Sequence, residues 1–169
     1  MYILIFRLYN WFIFGLQSLS KMENLHNVLK KENYKKIKFK IIKTQHLLVK
    51  AKINGISGNF ILDTGASSSC VGFEGIDFFQ LKAKKSKTKA AGAGATGMLT
   101  QLSTDNKLQL GRWKTADAAL VIFDLSHVNE ALTQHKAKAV HGIIGADILL
   151  KGKGIIDYYN HYLYLKQDF

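Results

Sequence analysis

Residues 60–69 read FILDTGASSS, and this stretch decides how the rest of the chain is interpreted. Its first three residues are apolar and favour a buried strand, which ends abruptly at Asp63. Thr64 offers a hydroxyl that can brace a neighbouring loop, and Gly65 allows close backbone approach and positive φ. The sequence therefore predicts a carboxylate at the end of a buried strand, held by a tight turn.

The segments around this stretch also read as strands joined by turns. Apolar residues and lysines alternate over residues 36–41, which predicts a half-buried strand. Asn54-Gly55 lies between two β-rich runs and predicts a hairpin, because both residues tolerate positive φ. Further strands are predicted at residues 98–102, 107–110 and 118–123, with Asp105-Asn106 near a turn. The pattern indicates a compact all-β domain.

The last third of the chain adds one helix and a closing hairpin. Residues 126–134 are the best helix candidate outside the N-terminal segment, with Ser126 as N-cap. The final hairpin is predicted around Asn160. Between these features stands the run Ile143-Ile144-Gly145, followed by Ala146-Asp147.

Asp-Thr-Gly followed by apolar-apolar-Gly resembles the retropepsin-like aspartic peptidases of the single-lobe, cellular or bacterial type. The resemblance covers roughly residues 36–166. It implies an all-β fold, a closed barrel or sandwich with one or two short helices, and Asp63 as the catalytic carboxylate. It further implies that the loop supporting Asp63 is formed by Thr64, Gly65 and Ala66. The element that packs beside this loop is formed by Ile143, Ile144 and Gly145.

A glycine-rich stretch, KAAGAGATGMLTQL at residues 89–102, lies between the two motifs. The resemblance implies a flap hairpin that closes over bound peptide, formed or approached by Gly92, Gly94 and Gly97. An ordinary surface turn is the alternative. A phosphate-cradling loop is disfavoured, since no Gly-Lys-Ser or Gly-Lys-Thr follows.

The chain departs from the retroviral pattern at two matching places. Retroviral members often carry an acid shortly after the motif's alanine, paired with a basic residue after the Ile-Ile-Gly element. Here the corresponding residues are Ser67-Ser68 and Ala146-Asp147. Asp147 is interpreted as a helix-start cap and Asp157 as a structural residue before a turn.

The chemistry implied by the resemblance needs two carboxylates that share one proton. The chain has only one Asp-Thr-Gly, so the expected active site is a symmetric homodimer to which each subunit contributes Asp63. The expected function is an aspartic endopeptidase acting on protein or peptide. The alternative is a catalytically idle module of the same fold that binds an extended peptide or mediates dimerisation.

Other chemistries find little support in the sequence. No His-x-x-x-His or Cys-His cluster predicts a metal site, and no cofactor is implied. The serine run lacks a Gly-x-Ser-x-Gly elbow. Cys70, the single cysteine, is interpreted as a small buried hydrophobe. His141 is interpreted as a polar strand end, with a place near the site as the alternative.

The formal net charge of +12 comes largely from two lysine-rich regions, residues 30–43 and 82–89. A solvated surface is the main interpretation of this charge. Nucleic-acid binding is disfavoured, because lysine dominates over arginine and no aromatic residues interleave the second run.

The first 21 residues are far more apolar than the rest but are broken by Arg7 and Asn10. They are interpreted as a misplaced start or dispensable extension, or else as a membrane-associating helix. Residues 22–35 form a polar lead-in and residues 36–169 the peptidase-like domain. The expected location is cytoplasmic, with membrane anchoring through residues 1–21 as the alternative.

Overall fold

The computed structural model describes residues 24–85, 90–92 and 95–168, and the chain divides between Glu32 and Asn33 into two compact units. In the first unit, helix α1 (Leu25–Lys31) begins after Asn24, whose side chain accepts a hydrogen bond from the His26 amide. The predictions made for residues 1–21 lie outside the described residues. Within the described ranges, no helix is long and apolar enough to cross a membrane.

The second unit is built mainly from strands. Those described are β1 (Tyr34–Ile41), β2 (Leu47–Ile53), β3 (Ile56–Leu62), β4 (Cys70–Val71), β5 (Lys84–Lys85), β6 (Ala90–Gly92), β7 (Ala95–Met98), β8 (Gln101–Leu110), β9 (Trp113–Ile122), β10 (Gly142–Ile144), β11 (Ile155–Asp157) and β12 (Tyr162–Lys166). Three short helices accompany them: α2 (Gly75–Phe78), α3 (Ser126–Gln134) and α4 (Ala146–Lys151).

Six of these strands close into a barrel. Their order is β2-β3-β10-β4-β9-β8, and β8 pairs back to β2. One edge of β2 is shared: β1 pairs with its first half, and β8 with its second half through Lys52↔Gln109 and Ile53↔Leu108. β12 pairs with β1, and β11 with β12. The all-β closed barrel expected from the resemblance is confirmed.

The barrel interior is filled by inward-facing apolar residues from every barrel strand. β2 shows the period-2 pattern that produces this, because Leu47, Val49, Ala51 and Ile53 are buried while Lys50 and Lys52 are exposed. Phe60 on β3 is fully buried and packs against Phe79 beyond α2, with ring centroids 5.9 Å apart.

β3 and β10 lie parallel at the centre of the fold, with Ile143 opposite Ile61. Helix α3 covers their outer face, where Ile61, Leu132 and Val140 form a second apolar cluster. Burial on both faces explains why the paired ends of these strands, residues 60–62 and 143–144, read as continuous apolar runs rather than as alternating ones.

The hairpin predicted at Asn54-Gly55 is confirmed, since both residues have positive φ, 50° and 89°. Asn54 also ties this turn to β8. Its amide donates to the Lys107 carbonyl at 2.8 Å, and its side-chain oxygen accepts from the Lys107 amide at 3.0 Å.

The turn predicted near Asp105-Asn106 is wrong. β8 runs unbroken through these residues and turns only at Gly111. Asp105 takes positive φ in a bulge, and the buried Asn106 side chain donates to the carbonyls of Ser103 and Ala118. Asp and Asn tolerate left-handed backbone in bulges as well as in turns, so the local signal is the same.

The predicted helix at residues 126–134 is confirmed, but its predicted cap is wrong. The N-cap residue is Leu125, and the amide of Ser126 donates to the Asp124 carboxylate at 2.9 Å. The closing hairpin is confirmed, with Asn160 in its turn held by the Asp157 carboxylate.

The glycine-rich stretch forms a hairpin arm. β5 pairs with the start of β8 at its base, and further out β6 pairs with β7 through Ala90↔Met98 and Gly92↔Ala95. Gly92 thus lies in β6 and Gly97 in β7, whereas Gly94 lies outside the described residues.

We expect Phe60→Ala to destabilise the protein by about 3–5 kcal/mol, because it opens a cavity in a fully buried site. Ser57→Ala, at an exposed position of the same strand, should change stability by about 0.5 kcal/mol or less. Urea unfolding of both variants measures the difference. Equal, small effects would contradict the assignment of Phe60 to the core.

Candidate active site

Asp63 lies directly beyond the carboxyl end of β3 and is half-buried. Its backbone amide donates to the Ile144 carbonyl at 3.0 Å, which extends the parallel pairing with β10 by one residue. Its Oδ1 accepts a hydrogen bond from the Gly65 amide at 2.8 Å. Within the described chain, no ion pair reaches this carboxylate, so its second oxygen remains available to a ligand.

The turn after Asp63 carries small, exposed residues. Thr64 and Gly65 are exposed, and a Cβ at Gly65 would lie 3.2 Å from the Asp63 Oδ1. The Ala66 carbonyl accepts from the Ala146 amide at 2.7 Å. The loop is thereby held by main-chain contacts, with the Thr64 side chain at the protein surface.

Two glycines let the second motif approach this loop. A Cβ at Gly142 would lie 2.0 Å from the Cys70 carbonyl oxygen, and one at Gly145 would lie 2.7 Å from the Ala66 carbonyl oxygen. Both distances are far too short for an alanine without backbone movement. Ile144 is fully buried in the barrel core, and Ile143 packs towards α3.

Ser69 and Asp147 form a polar link between the two motifs. The Asp147 carboxylate accepts from the Ser69 amide at 2.9 Å and from its hydroxyl at 2.7 Å. The hydroxyl oxygen in turn accepts from the Gly145 amide at 2.9 Å. Asp147 also accepts from the Ile148 amide in the first turn of α4.

The sequence did not single out Ser69, which is completely buried while the neighbouring Ser67 and Ser68 are exposed. Three consecutive serines give no local sign of which one turns inward. The prediction that Asp147 caps helix α4 is wrong, because the N-cap residue is Gly145 and no side chain caps it. Asp147 lies in the first turn, where its carboxylate fixes the end of the Asp63 loop through Ser69.

His141 lies directly before β10, level with Asn59 on β3, and packs among aromatic rings. Its ring stacks on Phe78 with centroids 5.0 Å apart. Its Nδ1 accepts from the Asn59 amide at 3.1 Å, so the neutral ring carries its proton on Nε2. This arrangement makes His141 a bridge between β3 and α2.

The Cys70 thiol is enclosed in β4. Burial raises its pKa to about 12, and the nearby carboxylates of Asp147 and Asp63 act in the same direction. A thiol in this state is not a nucleophile. No group of three or more His, Cys, Asp or Glu side chains that could hold a metal ion occurs in the described ranges.

Comparisons with known proteins support the family and the fold. Residues 49–148 match the family model described as "Aspartyl protease". The fold is similar to a retropepsin-like aspartic protease from Rickettsia conorii, with 17% identity, a TM-score of 0.54 and coverage of 79% of this chain and 92% of the other. It is also similar to the retroviral protease-like domain of Ddi1 from Leishmania major, with 17% identity, a TM-score of 0.50 and coverage of 71% and 87%. None of the curated proteins matches in sequence.

We expect the Ser69–Asp147 link to be energetically coupled. Ser69→Ala and Asp147→Ala should each lower the free energy of unfolding by about 2–3 kcal/mol, because each leaves buried partners unsatisfied. The double variant should lose less than the sum, by about 1 kcal/mol or more. Urea unfolding measures the cycle, with the exposed Ser68→Ala as control. Strict additivity would contradict the link.

We expect the Cys70 thiol of the folded protein to resist iodoacetamide at pH 8. Its raised pKa keeps the neutral thiol dominant until the pH approaches about 12, and its burial excludes the reagent. In denaturant, the thiol should regain ordinary reactivity. Mass spectrometry counts the adducts, and rapid labelling of the native protein would overturn the assignment.

Proposed function

Because the chain belongs to the aspartyl protease family, we propose that it is an aspartic endopeptidase whose active site is completed by a second copy of the same chain. Each subunit supplies Asp63, and a water activated between the two carboxylates attacks the scissile peptide bond.

The placement of Asp63 carries this proposal. A buried strand ends at this residue, main-chain hydrogen bonds fix its backbone and one carboxylate oxygen, and the turn beside it is exposed. A half-buried carboxylate, fixed by main-chain hydrogen bonds beside an exposed turn of small residues, suits contact with both a substrate and a symmetry mate.

One subunit by itself offers half of the required chemistry. The other carboxylate near the loop, Asp147, is occupied by the Ser69 amide and hydroxyl. Asp63 therefore needs a partner carboxylate from outside the chain. A two-fold axis beside the exposed Asp63–Gly65 turn would bring the two copies of Asp63 together.

In such a dimer the two carboxylates cannot both ionise easily, so they share a proton. The ionised Asp63 takes a proton from water as that water attacks the carbonyl carbon. The protonated Asp63 donates to the carbonyl oxygen. The gem-diol intermediate then collapses as the C–N bond breaks: the carboxyl group that gained the water's proton donates it to the leaving amine, and the other carboxylate takes a proton from a gem-diol hydroxyl, which restores the shared proton.

The hairpin arm of β6 and β7 is the proposed flap. Its glycines at positions 92 and 97 lie in paired strands, which present main-chain groups for an extended peptide to bond in strand-addition fashion. Small residues there allow close contact and movement on substrate binding.

We expect Asp63→Asn to reduce peptide cleavage at least about a thousandfold while leaving fold and dimer intact. Full-length protein and variant are incubated with an unfolded proteome digest from acidic to neutral pH, and products are read by mass spectrometry. Asp105→Asn, at an exposed position of the β8 bulge, serves as the matched control. A folded dimer without activity would favour the idle binding module.

Mixed dimers test whether the site is shared. Parent and Asp63→Asn protein are mixed in equal amounts and allowed to exchange subunits. The mixture should show about a quarter of the activity of parent protein at the same total protein concentration, because only parent–parent dimers hold two carboxylates. Retention of about half would mean that each chain acts alone and would exclude the shared site.

A further inference from the structure

An open depression of about 470 Å³ lies on the outer face of the barrel where β2, β8 and β9 run side by side. Its lining combines three lysines with one leucine and with small and neutral polar residues. They are Lys52, Gly55, Lys107, Leu108, Gln109, Lys114, Thr115 and Ala116.

The strand register explains why this depression is both basic and hollow. Gln109 on β8 is paired with Lys52 on one side and with Lys114 on the other, so these side chains share one face of the sheet. Lys107 lies two residues before Gln109 and joins that face. Gly55 adds no side chain to the lining, and a Cβ placed at Gly55 would have no atom within 4 Å.

The lining supplies no anionic group to the three lysines. No acidic residue belongs to the lining, and in the described part of the chain none of the three lysines forms an ion pair. The neighbouring Asp117 is engaged by Lys151 and by the Thr115 hydroxyl. Like charges held together around a hollow repel one another, and an anionic ligand relieves this repulsion.

We propose that this lysine depression binds an acidic segment of another polypeptide. An open depression leaves a ligand half-exposed, which suits a chain that enters and leaves it better than a small molecule that needs enclosure. The lining holds no aromatic residue on which a base could stack and no arginine to fork onto a phosphate, which disfavours nucleic acid.

The depression lies at the opposite end of β3 from Asp63. Gly55 precedes this strand and Asp63 follows it, which separates the two sites by roughly 25 Å along an extended chain. Binding at the depression therefore does not require the carboxylate pair, and the proposal stands or falls independently of peptidase activity.

The test measures fluorescence anisotropy of a labelled oligoglutamate with full-length protein carrying Asp63→Asn, so that cleavage cannot consume the probe. An oligoglutamine of equal length is the neutral probe. The depression variant combines Lys52→Gln, Lys107→Gln and Lys114→Gln. Its matched control removes the same charge from exposed lysines elsewhere, as Lys40→Gln, Lys43→Gln and Lys138→Gln.

We expect salt-sensitive binding of oligoglutamate, no binding of oligoglutamine, and about tenfold weaker affinity in the depression variant. The control variant should lose about twofold or less. Ala116→Leu, which fills the hollow and keeps every lysine, should also weaken binding. Circular dichroism and thermal unfolding confirm that each variant is folded.

Three results would overturn the proposal. Equal loss in both lysine variants would mean diffuse attraction to net charge. Unchanged affinity in Ala116→Leu would mean that the hollow is not the site. Tighter binding of single-stranded oligothymidine than of oligoglutamate, lost in the depression variant, would assign the surface to nucleic acid instead.

Discussion

The parallel contact between β3 and β10 is the constraint on which the rest of the structure depends. The pairing places the Ile144 carbonyl within hydrogen-bond distance of the Asp63 amide, so the carboxylate is fixed by backbone rather than by side chains. It is possible only because Gly142 and Gly145 leave space for the carbonyls of Cys70 and Ala66. β10 must enter between β3 and β4 for the barrel to close, so the same glycines that admit this strand also position the Asp63 loop. The same contact between β3 and β10 therefore closes the barrel and builds the site.

The Ser69–Asp147 link explains how this chain manages without the acid–base pair that its sequence lacks. In the retroviral pattern the loop carries the acid and the later element carries the base. Here the acid lies on the later element, at the start of α4, and the loop supplies neutral donors, the amide and hydroxyl of Ser69. A partly buried carboxylate is costly without partners, and hydrogen bonds to a charged acceptor are stronger than neutral ones. One charge with several donors can therefore brace the loop without a matching cation.

The sequence predicted those features that depend on neighbours along the chain. The Asn54-Gly55 hairpin, the helix at residues 126–134 and the strand leading to Asp63 follow from local patterns. The failures have a common cause. Asp105 and Asn106 carry a turn signal, but pairing with β9 keeps β8 continuous, with a bulge at these residues. Burial of Ser69 but not Ser68, and the convergence of lysines from three strands, are set by contacts between distant segments, which local propensity does not encode.

If both proposals hold, the two ends of β3 divide substrate choice from chemistry. No conformational coupling between the lysine depression and the Asp63 loop is needed. Tethering is sufficient: an acidic segment held at one end of β3 raises the local concentration of the rest of its chain at the other end.

At about 3.3 Å per extended residue, a separation of roughly 25 Å requires about eight residues between the acidic segment and the scissile bond. Shorter substrates could occupy one site at a time, and would then gain nothing from their charge. Selectivity of this kind would depend on the spacing of acidic segments in a polypeptide, in addition to the residues at the cleavage point.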